Sequence, residues 1–276
     1  LKTSACFFIH GVPLVFSYIS LPMTPTHSSP SLSVIIITKN EALRIEACLQ
    51  SVQWAEEIIV LDSGSTDDTI ARCKKYTNAV YSTDWPGFGV QKNRALEKAT
   101  GRWVLSVDAD EQLSPALQKE IRAIVQSDGA YPAYILRRIS SYLGKTLRHG
   151  DWSNDYCLRL FKRGSAQFTT ESVHEKLQLR PSESQKIGRL KNPLYHQTFI
   201  SVEQIIDKIN HYSSLSAAEK YKKGQRASLS KAIGHGLWTF FRCYILKRGF
   251  LDGREGFMLA VSNAEGTYYR YVKMMY

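Results

Sequence analysis

Asp108 and Asp110 stand two residues apart at the end of the run WVLSV (103–107), and Glu111 follows directly. Side chains at i and i+2 of an extended chain point the same way, so two carboxylates are offered together. One can ligate a hard divalent cation such as Mg²⁺ or Mn²⁺ through oxygen while its mate holds a sugar hydroxyl, and substrate phosphates complete the metal shell. A solvated strand-to-helix turn could carry the same pair. Two further polar runs give it meaning: Thr38-Lys39-Asn40-Glu41 and Asp62-Ser63-Gly64-Ser65, each closing an apolar stretch. Asp62 reads either as a turn or helix-capping residue or as a carboxylate accepting the N–H of a nucleobase edge. Gly64 would let the backbone approach a nucleotide closely. Lys39 and Lys92 read as solvated lysines or as cations beside a diphosphate. No GxxxxGK[ST] or GxGxxG is present, so neither a P-loop nor a dinucleotide fingerprint holds the phosphates.

These residues need a scaffold, and the first half of the chain predicts one. SVIIIT (33–38) and EIIVL (57–61) are continuous apolar runs, as strands buried on both faces require. Helices are expected over 41–51, 67–76 and 90–100, and further strands over 79–82 and 103–107. Such βαβ units predict an α/β protein, a mostly parallel sheet flanked by helices. Ligands of such sheets sit beyond the carboxyl ends of the strands, where the three polar runs fall.

Composition agrees with a folded catalyst. The 276 residues are 43% hydrophobic and 22% charged, which excludes disorder and collagen-like order. The net charge of +11 favours anionic partners such as nucleotide phosphates, phospholipid or nucleic acid, and residues 201–276 carry more than half of it. Five scattered cysteines without a CxxC support neither a disulfide framework nor a zinc site, and a reducing compartment is the simpler reading. Residues 5–21 imitate a signal peptide but are broken by His10, Gly11 and Pro13. The expectation is that translation starts at Met23 and that the segment before it is an over-extended reading frame, with a signal or anchor as the alternative.

SVIIITKNE, VLDSGSTDDT, GFGVQKNRALEKATGRWVLSVDADE and VHEKL, in this order, resemble the family 2 glycosyltransferases of GT-A fold. YLGKTLRHGDWSNDYCLRLFKRG and YILKRGFLDGREGF are similar to the bacterial members that add β-glucose to a heptose of the lipopolysaccharide inner core. The resemblance implies an inverting transfer from a UDP-sugar, glucose being the expected sugar, assisted by a divalent metal. By position it implies Thr38, Asn40, Glu41 and Asp62 around the uridine, and Lys92 and Asn93 near the base or diphosphate. It likewise implies Asp108 near the ribose and Asp110 on the metal. The acceptor hydroxyl must lose its proton as it attacks, so a carboxylate base is needed. The Glu-Asp pair of many members is absent, and Val173-His174-Glu175 is its nearest equivalent. Glu175 is the expected base, Glu171 the second candidate, and His174 a neighbour orienting the base or touching phosphate. His196 matches a metal- or diphosphate-binding histidine, although a packed surface histidine would also fit. Trp152 and Arg159 are implied at the acceptor site.

The chain is thus expected to comprise an extension over 1–31, a GT-A catalytic domain over 32–200 and a helical extension over 201–276. Within the last, 201–224 and 231–248 read as amphipathic helices, the second ending at Gly249. Their aromatic and basic residues predict peripheral attachment to an anionic membrane. Simple packing on the catalytic domain is the other reading. The resemblance implies a lipid A–core glycolipid acceptor and a place in the cytoplasm, on the inner face of the bacterial inner membrane. Nucleic-acid binding is disfavoured, since no helix-turn-helix, zinc-finger or RNP-type pattern is present. A nucleotidyltransferase is the remaining alternative, though it would carry a Gly-rich basic loop where this chain has TKNE.

Overall fold

The computed structural model describes residues 6–9, 12–15, 31–153, 155–170, 175–181 and 186–276. The expected start at Met23, and the candidates Glu171 and His174, lie outside the described residues. At the N-terminus β1 (Cys6–Ile9) and β2 (Val12–Val15) form an antiparallel ribbon.

The predicted strands and helices of the first half are all present. They are β3 (Leu32–Thr38), α1 (Ile45–Val52), β4 (Glu57–Asp62), α2 (Thr69–Cys73), β5 (Val80–Ser82), α3 (Phe88–Lys98) and β6 (Trp103–Asp108). β5, β4, β3 and β6 pair in parallel in that order. Alternate residues of β3 serve opposite faces. Val34 and Ile36 pack with Ile45, Leu49 and Val52 of α1 and with Leu117 and Ile121 of α4 (Pro115–Gln126). Ile35 and Ile37 pack on the other side, with Ala95 of α3. Both faces are covered, which is why the strand has no polar alternation.

The sheet continues beyond β6 with β8 (Ala133–Tyr142), β10 (Asp155–Lys162), β13 (Gly188–Phe199) and β7 (Glu111–Leu113), in the order β6-β10-β8-β13-β7. β10 is antiparallel to both its neighbours, β13 is parallel to β8, and β7 is antiparallel to β13. β9 (Lys145–Thr146) forms a hairpin with β8, and β11 (Ala166–Phe168) pairs with β12 (Leu177–Leu179) in a separate ribbon. β7 follows β6 after only two residues, yet it pairs at the far end of the strand order, so the sheet curls round to bring its β7 end back beside β6.

Three helices follow: α5 (Val202–Lys222), α6 (Leu229–Phe241) and α7 (Gly253–Lys273). Ser201 caps α5, its Oγ accepting from the Gln204 amide at 3.3 Å. Ile205 of α5 and Leu259 of α7 pack with Tyr142 and Phe199, the last residues of β8 and β13, and with Leu147 after β9. The helix expected to run to residue 248 leaves α-geometry after Phe241, passes through a π-turn over Arg242–Leu246 and stops at Arg248, which is left-handed (φ 57). Gly249 follows as expected. Here a side chain would lie 2.8 Å from the Cys243 carbonyl, so close backbone packing demands the glycine. Among the described residues, no helix is long and apolar enough to cross a membrane.

Candidate active site

A cleft of about 800 Å³ opens at the carboxyl ends of β3 and β6. Its wall includes Thr38 at the end of β3 and Lys39 after it, Asp108 at the end of β6 and Asp110 after it, His196 of β13, and Lys92 of α3. Glu175 completes this wall, and Lys208, His211, Tyr212 and Leu215 of α5 close another.

Lys92 is the hub of the inner wall. Its ammonium lies 2.9 Å from Asp108 Oδ1 and 2.9 Å from Glu175 Oε1. Burial opposes its charge, but the two carboxylates outweigh burial and raise its pKa. Arg159 reaches Asp108 Oδ2 at 2.5 Å and Glu111 Oε1 at 2.7 Å, and Arg138 stands 3.3 Å from the same Glu111 oxygen. Burial would raise the pKa of Asp108. Arg159 and Lys92 overcome it and hold the carboxyl well below its ordinary value.

The Glu175 segment is placed by α3. Gly89 packs so tightly that a Cβ there would lie 1.7 Å from the Thr169 carbonyl oxygen. Asn93 clamps Phe168 from both sides, donating to its carbonyl at 2.8 Å and accepting from its amide at 2.9 Å. The amide of Thr169 then donates to the Lys176 carbonyl at 2.9 Å, which brings Glu175 back beside Lys92.

Asp110 and His196 form a second unit, with Nε2 of the histidine 3.2 Å from Asp110 Oδ2. Ser140 Oγ and Thr198 Oγ1 both lie 3.1 Å from the other ring nitrogen, Nδ1, and fix the plane of the ring. Burial pushes the Asp110 pKa up, but the hydrogen bond and charge of His196 hold it below the ordinary value. One carboxylate oxygen and one imidazole nitrogen facing the same cleft fit a divalent cation whose remaining positions are filled by phosphate and water. No group of three or more metal-binding side chains occurs among the described residues. A cation here would therefore depend on its substrate to complete the shell.

The remaining expected residues are distributed between the cleft and its supports. Thr38 lines the cleft, its Oγ1 buried and without a hydrogen-bond partner. Glu41 also lines it, and its carboxylate grips Arg44 at 2.7 and 2.8 Å. Burial raises the Glu41 pKa in spite of that arginine. Asn40, Asp62 and Gly64 do not line the cleft. Asn40 Oδ1 accepts from the Thr66 amide at 2.8 Å, and the Asp62 carboxylate accepts from the amides of Gly64 (2.9 Å) and Ser65 (2.8 Å) and from the Ser65 hydroxyl. Their polar atoms tie the turns after β3 and β4 together. Asn93 is similarly occupied by Phe168. Arg159 is buried beneath Asp108, its Nη2 meeting the carboxylates of Asp108 and Glu111 while its Nε has no hydrogen-bond partner. Trp152 lies outside the cleft, its ring 6.0 Å from Tyr142 and 5.9 Å from Phe199 in the aromatic cluster under α5 and α7. The helical wall is the part sequence reasoning missed. The available signal was Lys208 and His211 at i and i+3, with Tyr212 and Leu215 on the same face.

The chain is similar to known proteins over most of its length. The chain is 32% identical over 251 residues to an uncharacterized glycosyltransferase of Rickettsia bellii, spanning 88% of this chain and 85% of the relative. It is 29% identical over 239 residues to the lipopolysaccharide core biosynthesis glycosyltransferase LpsC of Rhizobium meliloti, spanning 84% and 87%. The crystal structure of S. aureus TarS 1-349 in complex with UDP-GlcNAc aligns over 88% of this chain and 90% of its own, with 17% identity and a TM-score of 0.44. Residues 33–184, more than half of the chain, match the family described as Glycosyl transferase family 2. The nucleotidyltransferase alternative is thereby set aside: the protein is a glycosyltransferase and belongs to glycosyl transferase family 2.

Proposed function

We propose that the protein transfers a hexose, glucose in the first instance, from a UDP-sugar to a heptose of the lipopolysaccharide inner core, with inversion at the anomeric carbon. The observation that carries the reading is the convergence of Asp108, Asp110, His196, Lys92 and Glu175 on one cleft at the strand ends. LpsC, a lipopolysaccharide core enzyme, is similar over most of both chains and supports the acceptor class.

In this mechanism Asp108 meets the ribose, and the unpartnered Thr38 hydroxyl donates to the nucleoside. Asp110 and His196 would hold Mg²⁺ or Mn²⁺, which when bound supplies neutralisation of charge developing on the departing diphosphate. Glu175 accepts the proton of the attacking acceptor hydroxyl. Lys92, touching both Glu175 and Asp108, holds the base in line with the donor side. Attack opposite the leaving group converts an α-linked donor into a β-glycoside. Catalysis is assigned to the chain from 32 to 200, and residues 201–276 form a helical extension serving both the cleft and the membrane.

The membrane reading rests on α6 and the turns after it. Leu237 and Trp238 are 67% and 54% exposed, and Ile233, Phe241, Leu246, Phe250 and Leu251 extend the apolar surface. Arg242, Lys247 and Arg248 lie along it in sequence. Large exposed apolar side chains bordered by cations suit an anionic bilayer surface, on the cytoplasmic face of the inner membrane, where an acylated acceptor is embedded.

A binding titration with a panel of nucleotide sugars, with and without Mg²⁺ or Mn²⁺, tests the donor side. Metal-dependent binding of UDP-glucose above UDP-galactose and UDP-N-acetylglucosamine is expected. Folded protein that binds no nucleotide sugar under any metal condition would overturn the reading.

A further inference from the structure

Lys208 stands apart from the other charged residues of the cleft. Lys92 is neutralised by two carboxylates, Glu41 by Arg44, and Asp110 is paired with His196. Lys39, at the end of β3, is exposed. Lys208 is half-buried on α5, and among the described residues no carboxylate lies within ion-pairing distance of it. Its ammonium sits 5.0 Å over the ring of Phe199. Burial lowers its pKa, and the groups acting on it through space are Asp110 and Glu41, which favour its charge, and Arg44 and Arg138, which oppose it. A desolvated ammonium without an anion costs free energy that an incoming oxyanion would recover.

The geometry points to an oxyanion-binding position formed by Lys208 and, one turn along the same face of α5, His211, accepting a phosphate group beside the Asp110–His196 pair. This assignment rests on the donor reading above for its position, and it lies outside residues 33–184 that match the family. Among the described residues the carboxylates of the cleft are already matched by cations, and the missing anion is assigned to a ligand. The unpartnered Thr38 hydroxyl, assigned above to the nucleoside, is a second polar group of the same cleft left for a ligand. Lys208, His211, Tyr212 and Leu215 share one helical face, so the helix presents a cation, an imidazole and an apolar flank together. Two ligands carry the required chemistry: the donor diphosphate, and a phosphate substituent on the acceptor glycan.

Calorimetric titration of UDP, uridine and inorganic phosphate into wild type, Lys208→Gln and Lys208→Arg, all in Mn²⁺, distinguishes them. If the donor diphosphate is the ligand, Lys208→Gln weakens UDP about ten- to a hundredfold, leaves uridine unchanged, and Lys208→Arg restores most of the loss. If the acceptor phosphate is the ligand, UDP is unchanged while inorganic phosphate binding, present in wild type, disappears in Lys208→Gln. Lys208→Gln with wild-type affinity for both UDP and phosphate overturns the assignment. Wild type that binds neither UDP nor uridine overturns the donor reading instead, and the phosphate titration then decides Lys208 alone. Lys208→Met, which keeps the aliphatic stem over Phe199, replaces the Gln variant if that variant melts early.

Discussion

The ammonium of Lys92 lies 2.9 Å from the carboxylate of Glu175, although 83 residues separate them in the chain. This contact joins a helix of the nucleotide half of the cleft to the group assigned the acceptor's proton. Glu175→Gln should lower kcat about 10²- to 10⁴-fold, the usual worth of a general base, while UDP affinity stays near wild type. Steady-state kinetics and UDP titration together check this. Nearly full activity in Glu175→Gln would move the role to Glu171.

Removing Asp110 or His196 should act on the nucleotide instead. In Asp110→Ala and in His196→Ala, the affinity for UDP in Mn²⁺ should fall at least about tenfold, toward the value in EDTA. Replacing Ser140 by Ala together with Thr198 by Val removes both partners of the His196 ring and should give a smaller loss of the same kind. UDP affinity in Mn²⁺ that matches wild type in every variant would remove the pair from the metal assignment.

Arg159 is predicted to be a residue of stability first. It neutralises Asp108 and the fully buried Glu111, so Arg159→Met leaves buried carboxylates short of a countercharge and should cost about 3–5 kcal/mol in urea unfolding. An unfolding midpoint equal to wild type would show that Lys92 and Arg138 suffice.

Acid should loosen the start of α7. Hydrogen bonding to the Lys145 ammonium, then to a backbone amide and Arg254, holds the Glu255 pKa down at about 2 against an ordinary 4.5. A depressed carboxylate pKa adds stability that is complete above the ordinary value and is lost as pH falls toward the folded one. Between about pH 4.5 and 2 the urea midpoint of wild type should therefore drop more steeply than that of Glu255→Gln. Parallel curves would exclude Glu255 as a contributor.

Leu237→Glu combined with Trp238→Glu should reduce sedimentation with vesicles rich in anionic lipid while leaving UDP affinity intact. Equal sedimentation of wild type and the double variant would place membrane contact elsewhere.

The strands up to β6 could be read from sequence because burial on both faces leaves runs such as Ser33–Thr38 without interruption. The second half hides its strands. β8 carries Arg137 and Arg138 in mid-strand, and β13 contains Asn192 and Pro193, which read locally as a turn. In the structure the β8 arginine reaches the buried Glu111, and the register with β8 shifts between Arg189 and Pro193. Tertiary partners explain both, and no window of sequence contains them. The same limit applied to the site. Asp108, Asp110, Lys92, Glu175 and His196 were marked by motif resemblance and do meet. Asp62, Asn40 and Asn93 carry the right groups but spend them on turns and on Phe168. Arg159 reads as a recognition residue until the charge of Glu111 beneath it is known. Lys208 and His211 do not stand out in the sequence because the apolar positions of their helix dominate its periodicity.

The pairing of β7 with β13 also fixes when the site can exist. A ribosome delivers Asp110 first, with the turns that surround it, and His196 and the helix bearing Lys208 emerge only much later. A nascent chain that has folded its parallel strands therefore has no opposite wall to its cleft and no imidazole beside its aspartate. If Asp110, His196 and Lys208 act as proposed, prematurely terminated products would be inert even with their parallel strands folded, so activity would report completion of synthesis rather than folding of the first half.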